Sequence, residues 1–198
     1  MENKLGITSA EELAEAEERL GKLGARELYD SGRLLSIPVG TYDSLAEIHK
    51  AMLGGIYEFA GELRTVNIYK GNLRFVPVEG LESAVKFAAI MPHGTYDEII
   101  EKYVQMNIAH PFREGNGRAM RLWLDVIFAA KLEKLVDWSK VDKKSFDAAM
   151  EQSALDQSAV AKIIKSALTD KVDRSVFLKA LDGSFALDGY TKYKSEQL

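Results

Sequence analysis

Between residues 95 and 109 the chain places Ile99, Ile100, Tyr103, Val104, Met106 and Ile108 around most of a helix's circumference. A helix that is apolar nearly all round has to sit inside a ring of other elements, and no other feature constrains the fold as strongly. Thr95 and Glu98 form a capping-box pair at its start, and His110-Pro111 ends it, because proline disfavours helical geometry in the preceding residue. After a loop, a second strong helix is predicted over about 117–136, rich in Leu, Ile, Val and Trp. The neighbours that must enclose this pair are also helical. Ser9 and Glu12 open a helix bearing Leu13, Leu20 and Leu28, although Gly21 and Gly24 weaken its middle. Thr41, after the breaks at Pro38 and Gly40, caps a helix through Leu45, Ile48 and Met52. Shorter helices are predicted at 81–91, 144–153, 157–168 and 174–187. Residues 64–77 are the only good strand candidate: Val66, Ile68 and Tyr69 lead to Gly71-Asn72, then Leu73, Phe75 and Val76, a tight-hairpin pattern. The expected fold is all-α with one small β-hairpin. With no internal repeat or linker, residues 1–198 read as a single domain.

Composition excludes several functions. The formal charge of −4 gives no general attraction to nucleic acid or an anionic membrane, so phosphate chemistry must rest on a local cluster of cations. The absence of cysteine removes disulfides, thiolate metal sites and cysteine nucleophiles. An acidic N-terminus without a signal-peptide pattern, and no apolar run near the ~18 residues of a membrane span, lead to the expectation of a cytoplasmic protein.

One segment supplies such a local cluster. His110-Pro111-Phe112-Arg113-Glu114-Gly115-Asn116-Gly117-Arg118-Ala119-Met120-Arg121 begins with a histidine at a helix end. It passes a carboxylate and a Gly-Asn-Gly turn, then enters a helix with two arginines three residues apart. Small residues let backbone N–H groups converge, and a helix N-terminus adds a field that favours anions. Arg118 and Arg121 share one helix face, and Glu114 is an oxygen ligand of the kind magnesium takes when it also bridges phosphates. These residue types describe a polyphosphate site with a proton acceptor beside it, His110 being suited to take a proton from a hydroxyl. Glu114 or the arginine pair alone would read as ordinary surface charges, and only their company changes that.

The segment resembles the signature of the Fic family, H-P-F-x-[DE]-G-N-G-R-x-x-R, at every specified position. The likeness extends upstream through Phe59-Ala60-Gly61-Glu62-Leu63-Arg64 and the hairpin. The resemblance implies transfer of AMP from ATP to a Ser, Thr or Tyr hydroxyl of a target protein. In it His110 is the general base, Glu114 the Mg2+ ligand, Gly115, Asn116 and Gly117 the anion cradle, and Arg118 and Arg121 the phosphate clamps. Members with lysine at the first arginine can be kinases, so Arg118 points to AMP transfer. Lys70, Gly71, Asn72, Leu73, Arg74 and Phe75 would form a flap that aligns an extended target segment by strand-like pairing. Some compact bacterial relatives modify type II topoisomerase subunits, which makes such a subunit a candidate target, with auto-modification as a further route.

A second resemblance concerns the C-terminus. Many Fic proteins carry an inhibitory helix with the pattern [ST]-x-x-x-E-[GN], whose glutamate pairs with the second arginine. Ser184, Asp188 and Gly189 occupy this pattern on a helix expected over about 174–190, with aspartate in place of glutamate. Being one methylene shorter, Asp188 is expected to reach Arg121 less well and to inhibit less. Two alternatives stay open: a hydrolase that removes AMP, and a nucleotide-binding regulator without transfer. The sequence leaves the oligomeric state open, a homo-oligomer included. His49 and His93 have no chemical context and read as structural or surface residues, while Trp123 and Trp138 read as core.

Overall fold

The structure is a computed structural model that describes residues 1–70 and 73–198. Gly71 and Asn72, the turn of the predicted hairpin, lie outside the described residues, as do the side chains of Leu35, Lys70 and Leu73. Eight α-helices are present among the described residues: α1 (Ala10–Asp30), α2 (Tyr42–Leu53), α3 (Val78–Ile90), α4 (Tyr96–Ala109), α5 (Asn116–Leu132), α6 (Lys143–Gln152), α7 (Ser158–Ala167) and α8 (Arg174–Ala186). Strands β1 (Tyr69–Lys70) and β2 (Leu73–Arg74) pair antiparallel, with Tyr69 opposite Arg74, as the hairpin pattern predicts. The fold is mainly helical, in agreement with the expected class.

The apolar pair α4 and α5 lies at the centre. α4 packs between α3 and α5, while α5 also meets α2 and α8. Ile99, Ile100, Tyr103, Val104 and Met106 of α4 are all buried, and so are Leu122, Trp123, Leu124, Ile127 and Phe128 of α5. Thr95 and Glu98 make both bonds of a capping box, and Thr41 accepts from the N–H of Ser44, whereas the Ser9–Glu12 pair makes only one half of its box, Glu12 N–H to Ser9 Oγ.

Two expectations are refined. Gly21 and Gly24 do not interrupt the predicted helix, and α1 runs unbroken from Ala10 to Asp30. A Cβ on Gly24 would lie 1.9 Å from the Ala51 carbonyl oxygen of α2, and one on Gly21 would lie 3.0 Å from the Phe185 ring of α8. The helix accepts a propensity penalty of ~1 kcal/mol per glycine because only glycine allows the approach at Gly24, and a side chain at Gly21 would press on the Phe185 ring. The second concerns strands. α5 stops at Leu132, where Glu133 turns left-handed (φ 55°), and β3 (Leu135–Val136) then pairs antiparallel with β4 (Leu168–Thr169). Two-residue strands leave no periodicity to read, and the apolar residues of β3 had extended the predicted helix. Among the described residues, no helix is long and apolar enough to cross a membrane.

Candidate functional site: an anion cleft at the junction of α4 and α5

The junction between the central helices is a short loop with unusual backbone geometry. His110 ends α4 in a left-handed conformation (φ 51°, ψ 66°), rare outside glycine. Gly115 turns left-handed again (φ 73°) immediately before α5, and a Cβ there would come 2.3 Å from Leu53 Cδ1. Asn116 closes the loop on itself. Its Nδ2 donates to the Phe112 carbonyl at 2.7 Å, and its Oδ1 accepts from the Phe112 N–H at 2.8 Å. Its side chain is therefore structural, and only its backbone is available to an anion. The first intrahelical bond of α5 is Ala119 N–H to Gly115 O at 3.1 Å, which leaves the N–H groups of Asn116, Gly117 and Arg118 without intrahelical partners. A Cβ on Gly117 would stand 3.1 Å from Arg121 Nη1, so glycine there gives the arginine room.

These residues share a cleft of about 410 Å³, within the range of small-molecule sites. His110, Glu114, Gly115, Asn116, Gly117, Arg118 and Arg121 all line it, as do Phe75 of the hairpin arm and Asp188 at the C-terminus. At one edge, His110 Nδ1 lies 3.2 Å from the Asn107 carbonyl. A carbonyl can only accept, so Nδ1 carries a proton, and in the neutral ring the lone pair is on Nε2. The Phe75 ring stacks on the imidazole, with centroids 3.6 Å apart.

At the opposite edge both arginines are engaged. Arg121 donates from Nε to Ser184 Oγ at 2.8 Å, and from Nη2 to Ser184 O at 3.0 Å and Asp188 Oδ2 at 2.5 Å. Ser184 and Asp188 thus lie where the pattern places them, and the shorter aspartate reaches Arg121. Arg118 is held by a residue that the sequence reading passed over. Its Nη2 donates to Glu17 Oε2 at 2.8 Å and lies 3.4 Å from Glu114 Oε1, and its Nε is 4.0 Å from Asp188 Oδ2. Glu17 is buried on α1 and also accepts from the hydroxyls of Tyr57 and Tyr190. Burial pushes its carboxyl upward, but Arg118 and the two phenols outweigh that and hold it below the usual carboxylate range. The Arg118 guanidinium also lies over the Tyr190 ring at 4.8 Å, and its Nη1 is buried without a hydrogen-bond partner among the described residues. Three carboxylates therefore face two guanidinium groups. In this state the cleft has no excess positive charge to offer a triphosphate.

His49 is neither a free surface group nor an idle core residue. It is buried on α2 and bridges the loop from below, with Nε2 2.7 Å from the Glu114 carbonyl and Nδ1 accepting the Gly61 N–H at 2.9 Å, while its ring stacks on Phe112. Burial lowers its pKa to about 4, although the Glu114 carbonyl pulls the other way, so the ring is neutral near pH 7. Glu17 was hidden in an acidic run and His49 had no motif around it. Phe146 and Met150 of α6, which line the far end of the cleft, lie well outside the signature.

Glu114 offers a carboxylate to a divalent cation at the loop itself. Its carboxylate is half-exposed at the cleft rim, where Oε1 accepts the Gly115 N–H at 2.8 Å. No group of three or more His, Cys, Asp or Glu that could hold a metal occurs among the described residues. A single carboxylate fits an ion that takes most of its ligands from phosphate oxygens and water.

The junction of α4 and α5 thus brings a helix N-terminus, two arginines and an imidazole to one cleft. Residues 40–128 match the Fic/DOC family model, and the chain carries a Fic/DOC domain. It is 27% identical to a probable protein adenylyltransferase Fic of Salmonella typhimurium, over 86% of this chain and 88% of that protein. It is also 29% identical to the protein adenylyltransferase VbhT of Bartonella schoenbuchensis, over 86% of this chain but 37% of the longer relative. Among solved structures, the BepC protein of Bartonella tribocorum with bound AMPPNP superposes with a TM-score of 0.72, at 17% identity over 87% of this chain and 93% of that one. The N-terminal Fic domain of a Bartonella quintana effector with bound ADP gives 0.72 at 18% identity, over 90% and 94%.

Proposed function

We propose that this protein is a nucleotidyltransferase that moves AMP from ATP to a side-chain hydroxyl of a target protein. One observation carries the reading: His110, the residues of the first turn of α5 and Arg121 all line a single cleft. The names of the relatives support it.

In this reading the triphosphate lies along the first turn of α5, with the N–H groups of Asn116, Gly117 and Arg118 and the side chain of Arg121 around its phosphates. His110 Nε2 takes the proton of the target hydroxyl as that oxygen bonds to the α-phosphorus. The α–β phosphoanhydride bond breaks and pyrophosphate leaves. Magnesium, held by Glu114 and the phosphates, would offset charge on the departing group. Arg118 acts on the phosphates within the limits Glu17 sets, and the unpaired edge of the hairpin aligns the target segment. Ser184 and Asp188 hold Arg121 away from phosphate, so the state described is the inhibited one. The acceptor would be a Ser, Thr or Tyr of a cytoplasmic protein, and a type II topoisomerase subunit is a specific acceptor to test.

Incubation with α-labelled ATP, Mg2+ and a cell lysate tests this reading. Label should pass to protein, more strongly with Asp188→Gly, and His110→Ala should lower the rate by ~10²–10⁴ while nucleotide still binds. Transfer that persists in His110→Ala would remove the role assigned to His110. Nucleotide binding with no transfer by any variant would leave a regulator in place of an enzyme.

A further inference from the structure

Arg64 lies outside the cleft lining, yet it binds the two structures that must act together there. It is 4% exposed. Its guanidinium donates from Nε to the His110 carbonyl at 2.9 Å, and from Nη2 to the Ala109 carbonyl at 3.2 Å. It also donates from Nη1 to the Val66 carbonyl at 2.9 Å and from Nη2 to the Val76 carbonyl. The first two carbonyls lie at the C-terminal end of α4, where a cation complements the helix dipole. The other two belong to the chain entering and the chain leaving the β1–β2 hairpin. Its own N–H donates to the Pro111 carbonyl at 2.8 Å, and Val76 N–H donates to the Ile108 carbonyl at 3.2 Å.

These bonds have two consequences. His110 occupies a left-handed conformation that a non-glycine residue keeps only when its surroundings impose it, and Arg64 grips the peptide on each side of its Cα. The Val76 leg carries Phe75, whose ring lies on the imidazole, so a shift of that leg moves the ring and the base together. A planar fork that satisfies four carbonyls in three segments cannot be replaced by the point charge of lysine.

We propose that Arg64 is a positioning residue for the transfer reaction: it locks both legs of the hairpin to the backbone of His110, so that a target segment laid on the hairpin and the base that deprotonates it share one register. This rests on the AMP-transfer reading. A residue that merely caps α4 would support folding without linking the two.

The experiment has two arms. In the first, Arg64→Lys and Arg64→Gln are made in full-length Asp188→Gly protein, and the acceptor is the His110-dependent labelled protein purified from lysate. Binding of Mg·AMPPNP should match the parent, while kcat falls by about 10²-fold, the scale of a ~1 Å misplacement, and KM for the acceptor rises. A folded variant with the parent's kcat and acceptor KM overturns the proposal, as does loss of nucleotide binding in step with transfer. The second arm needs no variant. Amide hydrogen exchange of the native chain should show Val76 N–H and Arg64 N–H opening together with the same free energy. A Val76 amide that opens independently overturns the proposal. If the parent transfers no AMP to any protein, the functional reading fails instead, and the exchange result still decides whether hairpin and loop are locked.

Discussion

Asp188→Gly should tighten nucleotide binding, and its size can be worked from the contacts on Arg121. Of the three bonds that hold this guanidinium at the C-terminus, only the one to Asp188 Oδ2 at 2.5 Å joins opposite charges. A hydrogen bond to a charged group is worth about 1.5–3 kcal/mol. The Asp188 side chain is 36% exposed while Arg121 is 6% exposed, so solvent screening places this bond at or below the bottom of that range, about 1–1.5 kcal/mol. A phosphate that needs Arg121 must displace the carboxylate, and every 1.4 kcal/mol is tenfold in affinity. Removing Asp188 also leaves two carboxylates facing two guanidinium groups in place of three. Calorimetric titration with Mg·AMPPNP, which avoids turnover, should show binding tighter by about tenfold, with the gain shrinking as salt rises. In an Arg121→Ala background the part of the gain that comes from releasing Arg121 should be lost, leaving only that from removing a carboxylate beside Arg118. Asp188→Glu should bind no more weakly than the native chain, since aspartate already reaches. Equal affinities for native protein and Asp188→Gly would refute the inhibitory contact.

Two further predictions concern the support of the site. Glu17→Ala leaves Arg118 buried without its main counter-charge, and breaking a buried pair by removing one partner costs about 3–5 kcal/mol. Urea unfolding should show a loss of about that size, and a loss below ~1 kcal/mol would mean that Glu17 does not hold Arg118. His49 predicts a pH dependence. Its folded pKa of about 4 lies below the ordinary 6.5, so the unfolded chain binds its proton first, and stability falls as pH drops from 6.5 towards 4. The window is worth about 3 kcal/mol at 1.36 kcal/mol per pKa unit. Buried Asp125 acts in the opposite direction, because burial raises its pKa to about 7. The test is therefore the stability difference between native protein and His49→Gln, which should shrink on acidification from pH 7 to pH 4. A constant difference would show that His49 does not titrate on unfolding.

The central helices were legible because their apolar residues and caps act locally. Thr95, Glu98 and the β-prone runs about Gly71-Asn72 specify their structure within a few residues. Likewise, the residues at 110–121 were legible as a set because spacing along one loop and helix brings them together. What could not be read depends on approach between distant segments. Gly24 looks like a helix breaker until Ala51 is placed against it. Glu17 looks like one more surface acid until α1 brings it beneath Arg118, a partner 101 positions away. The reach of Asp188 was judged from side-chain length alone, whereas the path of the chain after α8 decides it.

The central claim is that the cleft transfers AMP, and the position of the label in ATP tests it most directly. Acceptor protein is incubated with Asp188→Gly enzyme, Mg2+ and ATP labelled at either the α- or the γ-phosphate, with released pyrophosphate measured in parallel. Label should pass to protein from α-labelled ATP only, with one pyrophosphate released per AMP attached (the stoichiometry of attack at the α-phosphorus) and with both signals lost in His110→Ala. Transfer from γ-labelled ATP, or α-label transfer that survives in His110→Ala, would contradict the chemistry assigned to this site.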